Sequence, residues 1–212
     1  NPLTPIQLTI DKLKNEYSKK TKIQDQDEDQ FNKSLKIITK QIKQIENLVN
    51  EFSDFARMPK PILKDNNLVS IINENINLIK ELDSDILIDF NYDNEITILN
   101  SDYEQLSRVF FNLIKNSIES IQEKRNKNVS FNGKIDIKLK NNEPNIDFNI
   151  IDNGLGFGIF AKNIKNILDP YFTTKKKGTG LGLAIVNKII NDHNGSINFI
   201  PIKDGAKIHI NF

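Results

Sequence analysis

Asn112 and Asn116 stand four residues apart, and Glu119 follows three later. On a helix this spacing puts all three on one face. Two amide oxygens and a carboxylate in a row are donors of the kind Mg²⁺ accepts, because that ion takes one or two protein oxygens and leaves its other positions to water and phosphate. The same residues also suit a plain solvated helix face. A second group is Asp152-Asn153-Gly154-Leu155-Gly156-Phe157-Gly158, directly after a strand-like run ending at Ile151. Its alternating glycines let the backbone turn tightly and come close to a ligand. An aspartate at a strand end accepts a hydrogen bond from an exocyclic amine such as that of adenine, although Asp-Asn-Gly is equally common in ordinary turns. The third group, Gly178-Thr179-Gly180-Leu181-Gly182-Leu183-Ala184, runs into an apolar helix. Open N–H groups at a helix N-terminus attract anions, and glycine lets phosphate rest on the backbone. The run is neither a Walker loop, since no Gly-Lys-Ser/Thr follows, nor a dinucleotide fingerprint. Between the last two groups lies Asp169-Pro170-Tyr171-Phe172-Thr173-Thr174-Lys175-Lys176-Lys177. Its aromatic pair can anchor a mobile loop, and a lysine there can reach phosphate or serve only as solvated charge.

These groups need elements to position them. The 212 residues suffice for one medium domain or a small domain with an appendage. A hydrophobic share of 38% and a charged share of 27% describe a globular chain. The net charge of +1 gives no long-range pull toward nucleic acid or membrane. Cysteine is absent, which excludes disulfides, thiolate nucleophiles and cysteine metal sites. No apolar run reaches the ~18 residues of a membrane span. The chain opens at Asn1 and its single Met is Met58, so we expect a fragment of a longer protein whose other part can hold a membrane anchor.

Residues 1–58 read as two helices with apolar residues spaced alternately three and four apart: Leu3, Ile6, Ile10, Leu13 and Tyr17, then Phe31, Leu35, Ile38, Ile42, Ile45, Val49 and Phe52. Residues 18–30, polar except for Ile23, read as the turn between them. Two such helices cannot enclose a core, so a symmetric dimer forming a four-helix bundle is expected, with packing on the rest of the chain as the alternative. Met58-Pro59-Lys60-Pro61 stops the second helix. Beyond it we expect a helix over 68–82, short strands at 86–92 and 96–100, and a helix from Ser101-Asp102 to about Lys124 with Ser101 and Glu104 as a capping box. Strands are expected at 134–140, 146–151, 196–201 and 206–212, with Asp204-Gly205 as the last turn, and a helix at about 180–192. The fold class is α+β: an N-terminal antiparallel helical hairpin over 1–60, then an α/β sandwich over 61–212 with one sheet covered by helices on one face.

The order and spacing of the motifs resemble the histidine kinases of two-component systems, within the wider superfamily that includes gyrase, Hsp90 and MutL. NLIKN resembles the N box, DNGLGFG the G1 box, DPYFTTK the F box and GTGLGLA the G2 box. His193-Asn194-Gly195 sits where these kinases often have His-Gly-Gly, which points to a structural histidine; His209 has no motif around it. Asn1-Pro2-Leu3-Thr4-Pro5 resembles the tail of the phosphoacceptor pattern His-Glu-x-x-Asn/Thr-Pro-Leu, whose histidine would lie four residues before Asn1. Phe55-Ala56-Arg57-Met58-Pro59 and the NSIES form of the N box are most similar to the nitrogen-regulation (NtrY/NtrB-like) sensor kinases.

The resemblance implies ATP and Mg²⁺ as cofactors. Asn116 would ligate Mg²⁺, with Asn112 beside it and Glu119 as a weaker candidate. Asp152 would read the adenine amine, Gly154, Gly156 and Gly158 would shape the pocket, and Lys175 would contact phosphate from a lid spanning 159–177. Gly178, Thr179, Gly180, Leu181 and Gly182 would hold phosphates through the backbone. The implied reaction moves the γ-phosphoryl group to a histidine and on to an aspartate of a response regulator. Asn1, four after the acceptor position, opens a phosphatase role. A homodimer, a response regulator as partner, no nucleic acid, and a cytoplasmic location on a membrane-anchored protein follow from the same resemblance. Glu119 departs from the basic residue many of these kinases carry, and Ser120 from a frequent aromatic, which removes base stacking there. Two other readings stay open: a dimeric scaffold with a degenerate nucleotide site, and an ATPase or serine kinase of the same superfamily.

Overall fold

The computed structural model describes residues 6, 8–13, 25–80, 85–126, 130–157, 167–173 and 179–212. The chain divides into two compact units, Asn1–Met58 and Pro59–Phe212.

In the first unit, residues 8–13 are helical and a long helix, α1, spans Asp25–Ala56. This helix begins inside the stretch expected to be a turn. Residues 25–30 contain no Gly or Pro, and their acidic composition suits the positive end of a helix dipole, so polarity alone did not mark a break. Ile10, Leu35 and Ile42 form a buried cluster with Phe31 packed against it. The expected apolar seam of α1 therefore divides. Leu35 and Ile42, seven apart, turn toward Ile10, while Ile38, Ile45, Val49 and Phe52 remain exposed.

The second unit is built on a five-stranded sheet formed by β2 (Leu87–Tyr92), β4 (Lys134–Asn142), β5 (Asn145–Asp152), β6 (Ser196–Ile202) and β7 (Gly205–Asn211). The strand order is β2-β4-β5-β7-β6, with only the β2–β4 pair parallel. The remaining strands, β1 (Lys64–Asn67) and β3 (Ile98–Ser101), form a separate antiparallel ribbon. β1 reads Lys-Asp-Asn-Asn and carries no apolar alternation, so the sequence gives no strand signal there. On β4 and β5 apolar and polar residues alternate from Lys134 to Lys140 and from Asn145 to Ile150, after which Ile151 takes the polar face and Asp152 the buried one. Ile135, Ile137, Leu139, Ile146, Phe148 and Ile150 are buried on one face, and lysines, aspartates and asparagines alternate on the other.

Among the described residues this unit also has three α-helices: α2 (Leu68–Lys80), α3 (Tyr103–Arg125) and α4 (Gly182–Asp192). Helix α2 buries Leu68, Ile71, Ile72, Ile76 and Ile79, the stripe expected from the sequence. Its buried Asn75 donates to the Ile71 carbonyl at 2.8 Å and to Ser107 Oγ of α3 at 2.9 Å. Phe110 of α3 packs on Phe148 of β5 with ring centroids 4.9 Å apart, which sets α3 on the apolar face of the sheet.

The N-cap of α3 is Asp102 and not Ser101. Asp102 Oδ1 accepts from the Gln105 N–H at 3.0 Å, whereas Ser101 ends β3 and its hydroxyl donates to the Leu99 carbonyl. A serine paired in a strand cannot also turn its side chain over the helix start, and the aspartate one residue later takes the cap. Asp102 Oδ2 also accepts from the Ile62 N–H at 2.8 Å, and the Gln105 amide donates to the Pro59 carbonyl at 3.1 Å. Burial alone would raise the Asp102 pKa, but donors from Ile62, Gln105 and Glu104 together bring it below the usual value. The turn between β6 and β7 is Lys203-Asp204, since Gly205 already pairs with Ile202 as the first residue of β7.

Candidate nucleotide site

The site is organised by α3, which carries two polar stripes. The first holds Asn112, Asn116 and Glu119, all half-buried. The Asn112 amide nitrogen donates to the Arg108 carbonyl at 2.9 Å, so its oxygen is the atom left to face outward. That oxygen lies 3.5 Å from where a Cβ at Gly182 would sit. Asn112 and the N-terminus of α4 are thus brought together from positions 70 residues apart in the chain. A neutral amide oxygen next to a helix start with open N–H groups fits a metal-bound phosphate chain.

The second stripe is Ser117, Ser120 and Lys124. It lies under the turn that follows β5, and only Ser120 of these three stands out in the sequence, as a departure from an aromatic. Ser117 donates to Asp152 Oδ2 at 3.2 Å. Ser120 Oγ accepts from the Leu155 N–H at 2.9 Å. Lys124 Nζ donates to the Asn153 carbonyl at 2.6 Å and rests over the Phe131 ring. Asn153 in turn accepts from the Lys134 N–H at 2.8 Å and donates to the Asn132 carbonyl at 2.9 Å, tying the turn to the start of β4.

Asp152 is 5% exposed. Burial pushes its carboxyl above the usual aspartate pKa, against the pull of the Gly154 N–H at 2.9 Å, the Ser117 hydroxyl, the Ala206 N–H and the nearby Lys124 charge. A carboxylate at the end of the sheet's central strand can accept a further hydrogen bond, such as one from an amine.

Two of the motif glycines are required by conformation as well as space. Gly156 has φ +68° and packs on the Gly205 carbonyl. Gly180 has φ +72°, and a Cβ there would lie 2.8 Å from the Phe172 N and O. The Gly180 carbonyl accepts from the Tyr171 N–H at 3.1 Å, which joins the F-box-like and G2-box-like segments. Gly154 is excluded from larger residues by space, because a Cβ would approach the Ser120 carbonyl carbon at 2.8 Å. Leu181 is fully buried, with its N–H 3.4 Å from Thr179 Oγ1, and Gly182 opens α4. Gly205, which reads in sequence only as part of a turn, belongs to this site: a Cβ there would overlap the Asp152 carbonyl. Only the strand register that sets Asp152 opposite Ala206 reveals this.

Asn1, Gly158, Lys175 and Gly178 lie outside the described residues, as does most of the 159–177 segment. His193 is a structural residue. Its Nε2 accepts from the Asp102 N–H at 2.9 Å and its Nδ1–H donates to the Ile189 carbonyl at 2.8 Å, so it ties the end of α4 to the start of α3 as one neutral tautomer. His209 pairs with Asp147 at 2.8 Å on the opposite, polar face of the sheet. There the His209 hydrogen bond, helped by Asn142 and Asn211, holds the Asp147 carboxyl below its ordinary pKa.

This architecture agrees with the comparisons to known proteins. Residues 101–212 match the family described as histidine kinase-, DNA gyrase B-, and HSP90-like ATPase, and residues 1–61 match the His Kinase A (phospho-acceptor) domain. The chain belongs to the histidine kinases of that ATPase family. The nitrogen regulation protein NtrY of Azorhizobium caulinodans is 35% identical over 212 residues, covering 99% of this chain and 27% of that protein. A putative NtrY-like sensor histidine kinase of Rickettsia bellii is 33% identical, covering 98% of this chain and 32% of that protein. The chain thus spans about a third or less of the length of these curated relatives. Among solved structures, the catalytic domain of the histidine kinase ThkA superposes with a TM-score of 0.61 at 28% identity, over 71% of this chain and 96% of that one. ThkA in complex with the response regulator protein TrrA has the same fold over 99% of this chain and 57% of that one, with a TM-score of 0.68 at 24% identity.

Proposed function

We propose that this chain is the dimerising and ATP-binding part of a sensor kinase that moves the γ-phosphoryl group of Mg-ATP to a histidine and then to an aspartate of a response-regulator receiver domain. The observation that carries this reading is the buried Asp152 ringed by donors at one end of α3, with Asn112 set against the α4 N-terminus farther along the same helix. Adenine would lie at Asp152. The phosphates would lie at Thr179–Gly182, with Gly178 and Lys175 as further contacts. Mg²⁺ would be held by Asn116 and Asn112, with Glu119 reaching it directly or through water. The ion would supply charge neutralisation on the transferred group. The chain's own residues fix where the base and phosphates sit, which is most of what phosphoryl transfer asks of a protein. In the transfer the bond from the γ-phosphorus to the bridging oxygen breaks, a bond to a neutral imidazole nitrogen forms, and ADP leaves.

The acceptor histidine belongs four residues before Asn1, and Asn1 would position a water for dephosphorylating the regulator. The division at 60/61 into hairpin and catalytic domain, the homodimer, and a cytoplasmic position on a membrane-anchored protein are part of the same proposal. Among the described residues no helix is long and apolar enough to cross a membrane.

Calorimetry with Mg-ATP tests the site. The chain should bind, and Asp152→Ala should weaken binding about 10- to 150-fold, the worth of a hydrogen bond to a charged group. Absence of binding by the parent chain would favour a scaffold with a degenerate site. Incubation with labelled ATP should leave no acid-labile phosphate on this chain, while a longer chain that includes the upstream histidine should be labelled and should pass the label to a response regulator. Stable label on His193 or His209 would overturn the assignment of the acceptor.

A further inference from the structure

The second stripe of α3 has a role that the box motifs do not describe. Ser117, Ser120 and Lys124 follow at intervals of three and four, so they share one face of the helix. Each grips a different member of the turn after β5: Ser117 the Asp152 carboxylate, Ser120 the Leu155 N–H, and Lys124 the Asn153 carbonyl. Ser117 is 3% exposed and Asp152 is 5% exposed, so the bond between them is shielded from water. A hydroxyl buried against a carboxylate must donate, because the ionised group can only accept. Gly154 lies so close to Ser120 that no side chain fits between the turn and the helix.

We propose that Ser117 is a positioning residue for base recognition, with Ser120 as its brace. Ser117 holds the Asp152 carboxylate in the orientation that presents an oxygen to the 6-amino group of adenine, and Ser120 fixes the backbone of the turn on which that carboxylate stands. The inference rests on the reading of Asp152 as the base acceptor. Without the Ser117 hydroxyl, the carboxylate loses one of the few donors available in a dry site. It then turns toward its remaining donors or takes up a proton, and either change makes it a poorer acceptor for an amine. A serine at position 117 thus specifies which base is held, although it touches no part of the phosphate site.

The test compares two ligands on the intact 212-residue chain: ATP and purine riboside 5′-triphosphate, which lacks only the 6-amino group. The parent chain should prefer ATP by about tenfold or more. Ser117→Ala should weaken ATP binding by about tenfold while leaving purine riboside triphosphate within about twofold of the parent, so the preference collapses. Ser117→Cys, nearly isosteric with a weaker donor, should fall between the two and gives the same comparison if the alanine variant does not fold. Ser120→Ala should weaken both ligands together by a few-fold. If Ser117→Ala and Ser117→Cys keep the full preference for ATP, or lose affinity for both ligands equally, the positioning role is wrong. If the parent chain itself does not distinguish the two ligands, the assignment of Asp152 falls first, and this proposal falls with it.

Discussion

The two units differ in how far each closes on itself. In Pro59–Phe212, buried apolar side chains come from α2, α3 and α4 and from β2, β4, β5 and β7, and Leu68, Leu106, Leu113, Phe110 and Phe148 are fully buried. Among the described residues of Asn1–Met58, Ile10, Leu35 and Ile42 form a buried cluster, while Ile38, Ile45 and Phe52 are 45%, 50% and 46% exposed. A sheet roofed by helices buries both of its partners' apolar faces. A helical pair has a second stripe that only another surface can cover. The described residues of Pro59–Phe212 thus bury their apolar faces against one another, whereas the first unit leaves apolar side chains exposed that the proposed second copy would cover.

The largest expected effect sets one core against the other. Phe110→Ala should cost about 3–5 kcal/mol in the unfolding of the catalytic unit, because it removes a fully buried ring from between α3 and β5. Phe52→Ala should change the stability of the isolated monomer by less than about 1 kcal/mol. Denaturant unfolding of both variants, followed at low protein concentration, checks this; equal costs would mean that the hairpin is as closed as the catalytic unit.

The next effect is on association. Ile38→Asp combined with Ile45→Asp should weaken a homodimer by more than about 100-fold, equivalent to roughly 2.7 kcal/mol, without changing the affinity for Mg-ATP. Sedimentation velocity reads the first quantity and calorimetry the second. A dimer that survives both charges would place the contact elsewhere.

A subtler effect concerns Asp152. Its pKa is raised in the folded state, so its ionisation opposes folding: the stability linked to it is fully present below the unfolded-state pKa and is lost as pH rises through the folded value. Asp152→Asn should therefore melt higher than the parent near pH 7, and the gap should shrink as the pH falls through the raised pKa. Binding of ATP by the parent should weaken over the same fall. Scanning calorimetry and nucleotide titration at a series of pH values check whether stability and binding move in opposite directions. A gap that does not depend on pH would mean that burial is not what perturbs Asp152.

The smallest effect should not distinguish the units. Lys43→Ala removes the 3.1 Å contact to Glu46 in the hairpin, and Lys188→Ala removes the 3.0 Å contact to Asp192 in α4. Each should cost no more than about 0.5 kcal/mol by denaturant unfolding, because neither pair is shielded from water.

Much of this was legible in the sequence. The apolar stripe of α2, the alternation of β4 and β5, and the prolines after α1 each specify an element through local spacing, so their limits were readable to within a few residues. The motif segments were readable as a family pattern for a related reason, since each is a short run of residue types at fixed local spacing. Legibility failed where a residue's meaning depends on a distant partner. Ser101 looked like a helix cap, but pairing in β3 gave that role to Asp102. Gly205 looked like a turn, but strand register sets it against Asp152. The single seam seen in α1 became two, one facing Ile10 and one facing outward.

The family and the order of the elements other than β1 were readable from the residues alone, because periodicity and motif chemistry are local properties of the chain. It took the folded chain to set Ser117 against Asp152, Ser120 beneath the turn after β5, and Asn112 at the start of α4. Those neighbours come from positions 35 to 70 residues apart in the chain, and packing, not spacing, brings them together.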